Sequence, residues 1–218
     1  MARIDPHSYT DTTQGVIAAV ALSLTVDFGA QTLSGEVTLT LRQQAEGPLD
    51  LDTRDLHIDA ARTQSGTSVP FTLGDRDPVL GSRLRLILPP KTREVTIGYA
   101  TAPTATALQW LEPVHTAGGK QPYLFSQCQP HHARSMVPLQ DSASVRFQYH
   151  AEITVPAALV AVIVLQSLLL LIRALPQTMR YTLVIAATVA LAGVAILLIN
   201  DPALAEDLRG RALGIWHD

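Results

Sequence analysis

The 218-residue chain has a single cysteine, Cys128, which excludes an internal disulfide and leaves the redox compartment open. It has no basic excess. Sixteen Lys and Arg against 19 Asp and Glu give a net charge of -3, so nucleic acid, which calls for a basic patch or stripe, is not an expected partner. Residues 1–11 lack the apolar core of a signal peptide, and export by a cleaved signal is therefore not expected. Internal repeats and low-complexity linkers are missing from the first 156 residues. Charge is missing altogether from two other stretches, residues 157–172 and 181–199. These absences divide the chain into two physical regimes.

In the first regime polar and apolar residues are mixed with a period of two. Val20, Leu22, Leu24, Val26 and Phe28 alternate with Ala21, Ser23, Thr25 and Asp27, the pattern of a strand with one face on a core. Val37, Leu39 and Leu41 repeat it after a turn at residues 28–32, which predicts a hairpin. Further strands are expected at 49–60, 84–88, 94–100 and 144–155. The breakers between them are Gly47-Pro48, the 74–78 turn, Pro89-Pro90 and the 117–120 turn. Many short strands at roughly regular spacing predict a mainly β fold, a sandwich or a large curved antiparallel sheet, occupying residues 1–156.

The second regime is apolar. Sixteen uncharged residues at 157–172 and nineteen at 181–199 approach the 20 or so that a membrane-spanning helix requires. Neither has the polar stripe of a helix lying on a soluble core. Residues 157–199 therefore read as a two-helix transmembrane hairpin with its loop at 173–180. Gly193 and Ala186, Ala187, Ala190 and Ala192 supply small residues for close helix contact. Residues 200–218 read as a short amphipathic tail with Asp201 as N-cap and Pro202 in the first turn. Arg173 and Arg180 favour a cytoplasmic loop, but Arg146, Arg209 and Arg211 balance them from the other side. A folded β domain would also have to cross without a signal peptide. The expectation is a membrane protein whose β domain and tail are cytoplasmic.

One segment carries an identity. Tyr123 to Asp141 contains Phe125-Ser-Gln-Cys-Gln129. It follows Asp5-Pro-His-Ser-Tyr9, Leu33-Ser-Gly-Glu-Val37, Leu49-Asp-Leu-Asp-Thr53, Trp110-Leu-Glu-Pro113 and Thr116-Ala-Gly-Gly-Lys120, and precedes Ser144-Val-Arg-Phe147. In this order the blocks resemble the N-terminal β domain of the zinc aminopeptidases of the aminopeptidase N and leukotriene hydrolase type, across residues 5 to 160. The resemblance implies a saddle-like sheet that packs against a zinc-bearing catalytic domain. It also implies that Gln127 and Gln129 point into the substrate cleft, where each amide offers a donor and an acceptor to a peptide. The other reading of the two glutamines, hydrogen bonding within the sheet alone, stays open. Pro130-His131 and Leu139 depart from the family pattern, which has a small-plus-aliphatic pair and, commonly, a cysteine there.

The catalytic half of that family is missing from the sequence. A zincin requires His-Glu-x-x-His on a helix, two imidazoles one turn apart with a glutamate beside the bound water. None of the seven histidines is followed by glutamate, and the family's Gly-x-Met-x-Asn exopeptidase motif is absent too. Cys128, His131 and His132 suggest a metal cluster superficially, but as strand neighbours they would point to opposite faces. Asp50, Asp52, Asp55 and Asp59 look like a carboxylate cluster, which solvated strand edges and turns would explain. The sequence thus predicts a catalytically incomplete relative with no metal site or cofactor of its own. Its β-rich domain would bind a peptide or protein partner while tethered to a membrane. The alternative is a truncated or fused portion of an aminopeptidase whose activity would need a separate catalytic domain.

Overall fold

A computed structural model describes residues 5–157 and residue 159 of the chain. These lie in the first of the two units into which the chain divides, Met1–Ala161. Apart from Ala157 and Leu159, the apolar runs expected to form a membrane hairpin, and the tail after them, fall outside the described residues. Among the described residues no helix is long and apolar enough to cross a membrane.

The fold is mainly β, as its alternating pattern predicts, with eight strands among the described residues: β1 Ile17–Asp27, β2 Thr32–Thr53, β3 His57–Thr63, β4 Phe71–Leu73, β5 Ser82–Ala100, β6 Leu108–Leu111, β7 Tyr123–Ser126 and β8 Gln148–Thr154. A six-stranded sheet has the order β3-β5-β2-β1-β8, with β4 added along β5, and β6 and β7 form a separate two-stranded sheet. The β1–β2 hairpin forms where it was predicted, with Asp27 facing Thr32 across the turn. The large sheet is mixed, not antiparallel throughout, because β8 lies parallel to β1, with Ala19 against Gln148 and Thr25 against Thr154. A parallel neighbour needs a long crossover. Here the whole of residues 28–147 supplies it, and no local pattern announces that.

Two predicted breakers do not break. β2 runs through Gly47-Pro48, and β5 through Pro89-Pro90. Both sites lie where the β2–β5 ladder shifts register twice in succession. Thr40 faces Glu94, Ala45 faces Thr92 and Gly47 faces Leu88, a net slip of one residue. Prolines cannot donate to a ladder, and they are accommodated where the ladder is already interrupted. The slip has a consequence for the core. The buried residues of β5 change from Leu84, Leu86 and Leu88 to Val95, Ile97 and Tyr99, even positions to odd, so one face stays on the core along the whole strand. The expected 49–60 strand divides instead, its first half ending β2 and its second forming β3 after the bend at Arg54 and Asp55.

The core is a continuous cluster of Val20, Leu24 and Val26 from β1, Val37, Leu39, Leu41, Leu49 and Leu51 from β2, and the apolar face of β5. Gly35 allows β1 and β2 to meet closely. Its φ is 146°, and a Cβ there would come within 2.1 Å of the Ser23 carbonyl oxygen.

Candidate recognition site

The β6–β7 hairpin carries the recognised segment. Trp110 pairs with Leu124, and both pack against the core, Trp110 edge-on to Phe28 with ring centroids 5.4 Å apart. The opposite parity of β7 leaves Tyr123 and Phe125 half exposed, and Gln127 continues that side beyond the strand end. Period-two geometry thus lines two aromatic rings and an amide along one face.

Beyond β7 the chain makes a short loop that is held from behind. The Gln127 N–H donates to the Ala107 carbonyl at 2.8 Å, and the His132 N–H to the Cys128 carbonyl at 3.0 Å. Ser135, wholly buried in a 3-10 turn over Ala133–Ser135, accepts the Ala107 N–H at 2.9 Å and donates to the His132 carbonyl at 2.8 Å. Gln127 and Gln129 are both exposed at the front of this loop. The Gln129 N–H donates to Oε1 of Gln127 at 3.3 Å. The Gln127 NH2 group and the entire Gln129 side-chain amide have no partner among the described residues. Neither glutamine lies in a strand.

Arg134 anchors the loop to the body of the domain and was not legible as an anchor in the sequence. Its side chain is 1% exposed. Nε donates to Asp141 at 2.9 Å, Nη1 to the Leu80 carbonyl at 2.9 Å, and Nη2 to the carbonyls of His7 at 2.8 Å and Asp141 at 3.1 Å. Asp52 receives the Ser8 hydroxyl at 2.6 Å, the Tyr9 N–H at 2.7 Å and the Asp141 N–H at 3.0 Å. Burial pushes the Asp52 carboxyl above its ordinary range, against the opposing pull of Ser8, Tyr9 and Arg134. The N-terminal segment, the end of β2 and the 134–141 segment are therefore tied at one buried polar point. The only forewarning was that three recognised blocks each contribute a polar residue to it.

The carboxylate row needs a correction. Asp55 and Asp59 are exposed, as strand edges and turns predict, but Asp50 and Asp52 are buried. The end of β2 is covered on both faces, and the two carboxylates face different partners. Asp50 accepts Arg85 in two hydrogen bonds of 2.7 Å each and Gln14 at 3.2 Å. Burial works to raise its pKa, but Arg85 and Gln14 together hold it below the ordinary value.

Cys128, His131 and His132 also sit differently from the strand arrangement expected: they lie in the turn after β7. His131 Nδ1 is 3.3 Å from the Asp141 carbonyl, His132 Nδ1 is 2.9 Å from the Thr106 hydroxyl, and burial followed by the Asp141 charge pushes the Cys128 thiol up, away from thiolate. No group of three or more His, Cys, Asp or Glu among the described residues is placed to hold a metal ion.

Comparison with known proteins follows the same outline. A family model described as the Peptidase M1 N-terminal domain matches residues 5–164. Leukotriene A-4 hydrolase of Xenopus laevis is 38% identical over 164 residues, which cover 72% of this chain and 27% of that protein. Leucine aminopeptidase 2 of Yarrowia lipolytica is 43% identical over 134 residues, 60% of this chain and 21% of that one. Among solved structures, native leukotriene A4 hydrolase from Saccharomyces cerevisiae superposes with a TM-score of 0.64 at 32% identity, covering 72% of this chain and 26% of that one. The chain spans about a quarter of the length of these relatives.

Proposed function

The chain belongs to the Peptidase M1 N-terminal domain family, and from that premise we propose that it is a recognition module that binds a peptide or protein segment without cleaving it. One observation carries this reading. The loop bearing Gln127 and Gln129 is fastened from behind by Ser135 and Arg134, while at its front the Gln127 NH2 group and the Gln129 side-chain amide are exposed and without a partner among the described residues. A loop held in this way keeps its donors and acceptors in a fixed arrangement, which lowers the ordering cost of binding an extended peptide. Tyr123 and Phe125, half exposed on the same side, offer apolar contact beside the amides.

Hydrolysis is assigned to no residue of this chain. The family's zinc chemistry needs ligands that the sequence lacks, and the site's own donors do not replace them. The quarter-length match favours a second reading, in which this sequence is one portion of an aminopeptidase and the catalytic domain is supplied separately. Membrane attachment through residues 157–199 is part of the first reading and rests on the length and lack of charge of the runs 157–172 and 181–199.

Calorimetric titration of the purified full chain with short unblocked peptides, alongside an aminopeptidase assay with added zinc, tests the proposal. Peptide binding with no chelator-sensitive cleavage is the expected result. Cleavage that a chelator abolishes would refute it, and so would the lack of any peptide binding.

A further inference from the structure

The six-stranded sheet ends differently on its two sides. At β3 the ladder is bulged between Ile58 and Ala60, and residues 64–69 fold back along the strand's outer side. There the Thr63 N–H donates to the Thr67 carbonyl and the Val69 N–H to the Ala61 carbonyl. Such features blunt an edge against further pairing. β8 has none of them. Its register with β1 is unbroken from Gln148 to Thr154, it contains no proline or lysine, and among the described residues its backbone pairs with β1 alone. Its core-side face is also incomplete. Ile153 and the flanking Phe147 and Val155 pack against the core, whereas Tyr149, of the same parity, is 50% exposed.

We infer that β8 is a homodimer interface, pairing antiparallel with β8 of a second copy about a two-fold axis at Ala151. The residue order of the strand argues for this occupant. Centred on Ala151, antiparallel pairing sets His150 opposite Glu152, Tyr149 opposite Ile153 and Gln148 opposite Thr154, each twice. Opposite residues share a face of the sheet, so the charged and the apolar pairs fall on separate faces. His150 and Glu152 are exposed and 3.6 Å apart within one strand, so each can turn to its counterpart across the axis without being unburied. The Tyr149–Ile153 pairs would continue the core-side face into the partner and cover the exposed ring. A two-fold interface must be self-complementary, which this seven-residue strand is in charge, in apolar character and at its centre. Two strands alone bury less than a standard interface, so the dimer is concentration-dependent.

Cross-linking of the full chain, in mild detergent where its apolar segments require it, reads the register directly. In a Cys128→Ser background, Ala151→Cys places a thiol opposite itself, whereas Tyr149→Cys and Ile153→Cys each place one opposite the other position. Mild oxidation should convert Ala151→Cys to a disulfide dimer. Tyr149→Cys and Ile153→Cys should stay monomeric separately and cross-link when mixed. Absence of the Ala151→Cys dimer, or equal self-cross-linking at all three positions, overturns the inference.

Sedimentation gives an independent reading. His150→Glu places carboxylates opposite one another and should weaken dimerisation about tenfold. The exchange of both residues, His150→Glu with Glu152→His, should restore it. A dimer indifferent to the single change, or a chain monomeric at every concentration, also overturns the inference.

Discussion

Nη1 of Arg134 stands 3.7 Å from Oδ1 of Asp52, with the two side chains 1% and 0% exposed. The pair joins residues 82 positions apart in the sequence, and through Ser8, Tyr9 and Asp141 it gathers the N-terminal segment, the end of β2 and the candidate recognition loop. Removing one member of a buried ion pair strands the other charge, which costs far more than an exposed pair is worth. Arg134→Met is therefore expected to lower the unfolding free energy by about 3–5 kcal/mol, read from urea denaturation. Arg76→Met, which removes the partner of Asp55 at the surface, should change it little. Equal effects of the two substitutions would contradict the anchoring role.

Acid should weaken the domain through Asp50. Its carboxyl titrates below the ordinary value of 3.8 in the fold, so the unfolded chain binds the proton more readily. The stabilisation is fully present above that ordinary value and is lost as pH falls through the lower, folded one. Asp52 has the opposite sign: its raised pKa favours the fold at low pH, and that contribution is lost as pH rises through the folded value. Urea midpoints measured at neutral pH and in steps below pH 4 should decline in the parent chain. Asp50→Asn should lower stability at neutral pH and flatten the acid decline. Parallel profiles would show that Asp50 does not drive it.

Binding and folding should separate at the loop. Gln127→Ala and Gln129→Ala alter exposed side chains and are expected to change stability by no more than about 0.5 kcal/mol. Each should weaken peptide affinity about five- to tenfold, the worth of one or two hydrogen bonds. Ser135→Ala leaves the buried Ala107 N–H without its acceptor and should cost about 1–3 kcal/mol of stability. Calorimetry paired with denaturation distinguishes them. Glutamine variants that unfold the domain while sparing affinity would reverse the assignment.

Membrane attachment has a direct test in fractionation of the full chain against one ending at Pro156. The full chain is expected to pellet with membranes and resist alkaline carbonate, and the shorter one to remain in the supernatant. Full-length protein recovered in the soluble fraction would contradict a spanning hairpin.

Local pattern was a sound guide where one strand face meets one core. Val20, Leu24 and Val26 mark β1, Val37, Leu39 and Leu41 mark β2, and the turn between them is where the breakers put it. The Phe125-Ser-Gln-Cys-Gln129 block, with the other blocks in their order, pointed to the family that the chain belongs to. The same reading stopped two strands at Gly47-Pro48 and Pro89-Pro90, because a breaker's meaning depends on the strand opposite. These lie together where the β2–β5 register shifts, Gly47 facing Leu88 and Ala45 facing Thr92 on either side of Pro89-Pro90. It also put Asp50 and Asp52 in solvent, since nothing near them in sequence foretells Arg85, Ser8 or Arg134 closing over the strand end.

By itself, then, the sequence determined the β character, the family and the lack of a zincin motif, all of which follow from residue type and local spacing. Tertiary structure decided the parallel β1–β8 pairing, the continuity of β2 and β5, and the burial of the Arg134–Asp52 anchor behind an exposed pair of glutamines. Each of those depends on groups brought together from distant parts of the chain, where burial and pairing set the energy and local propensity does not.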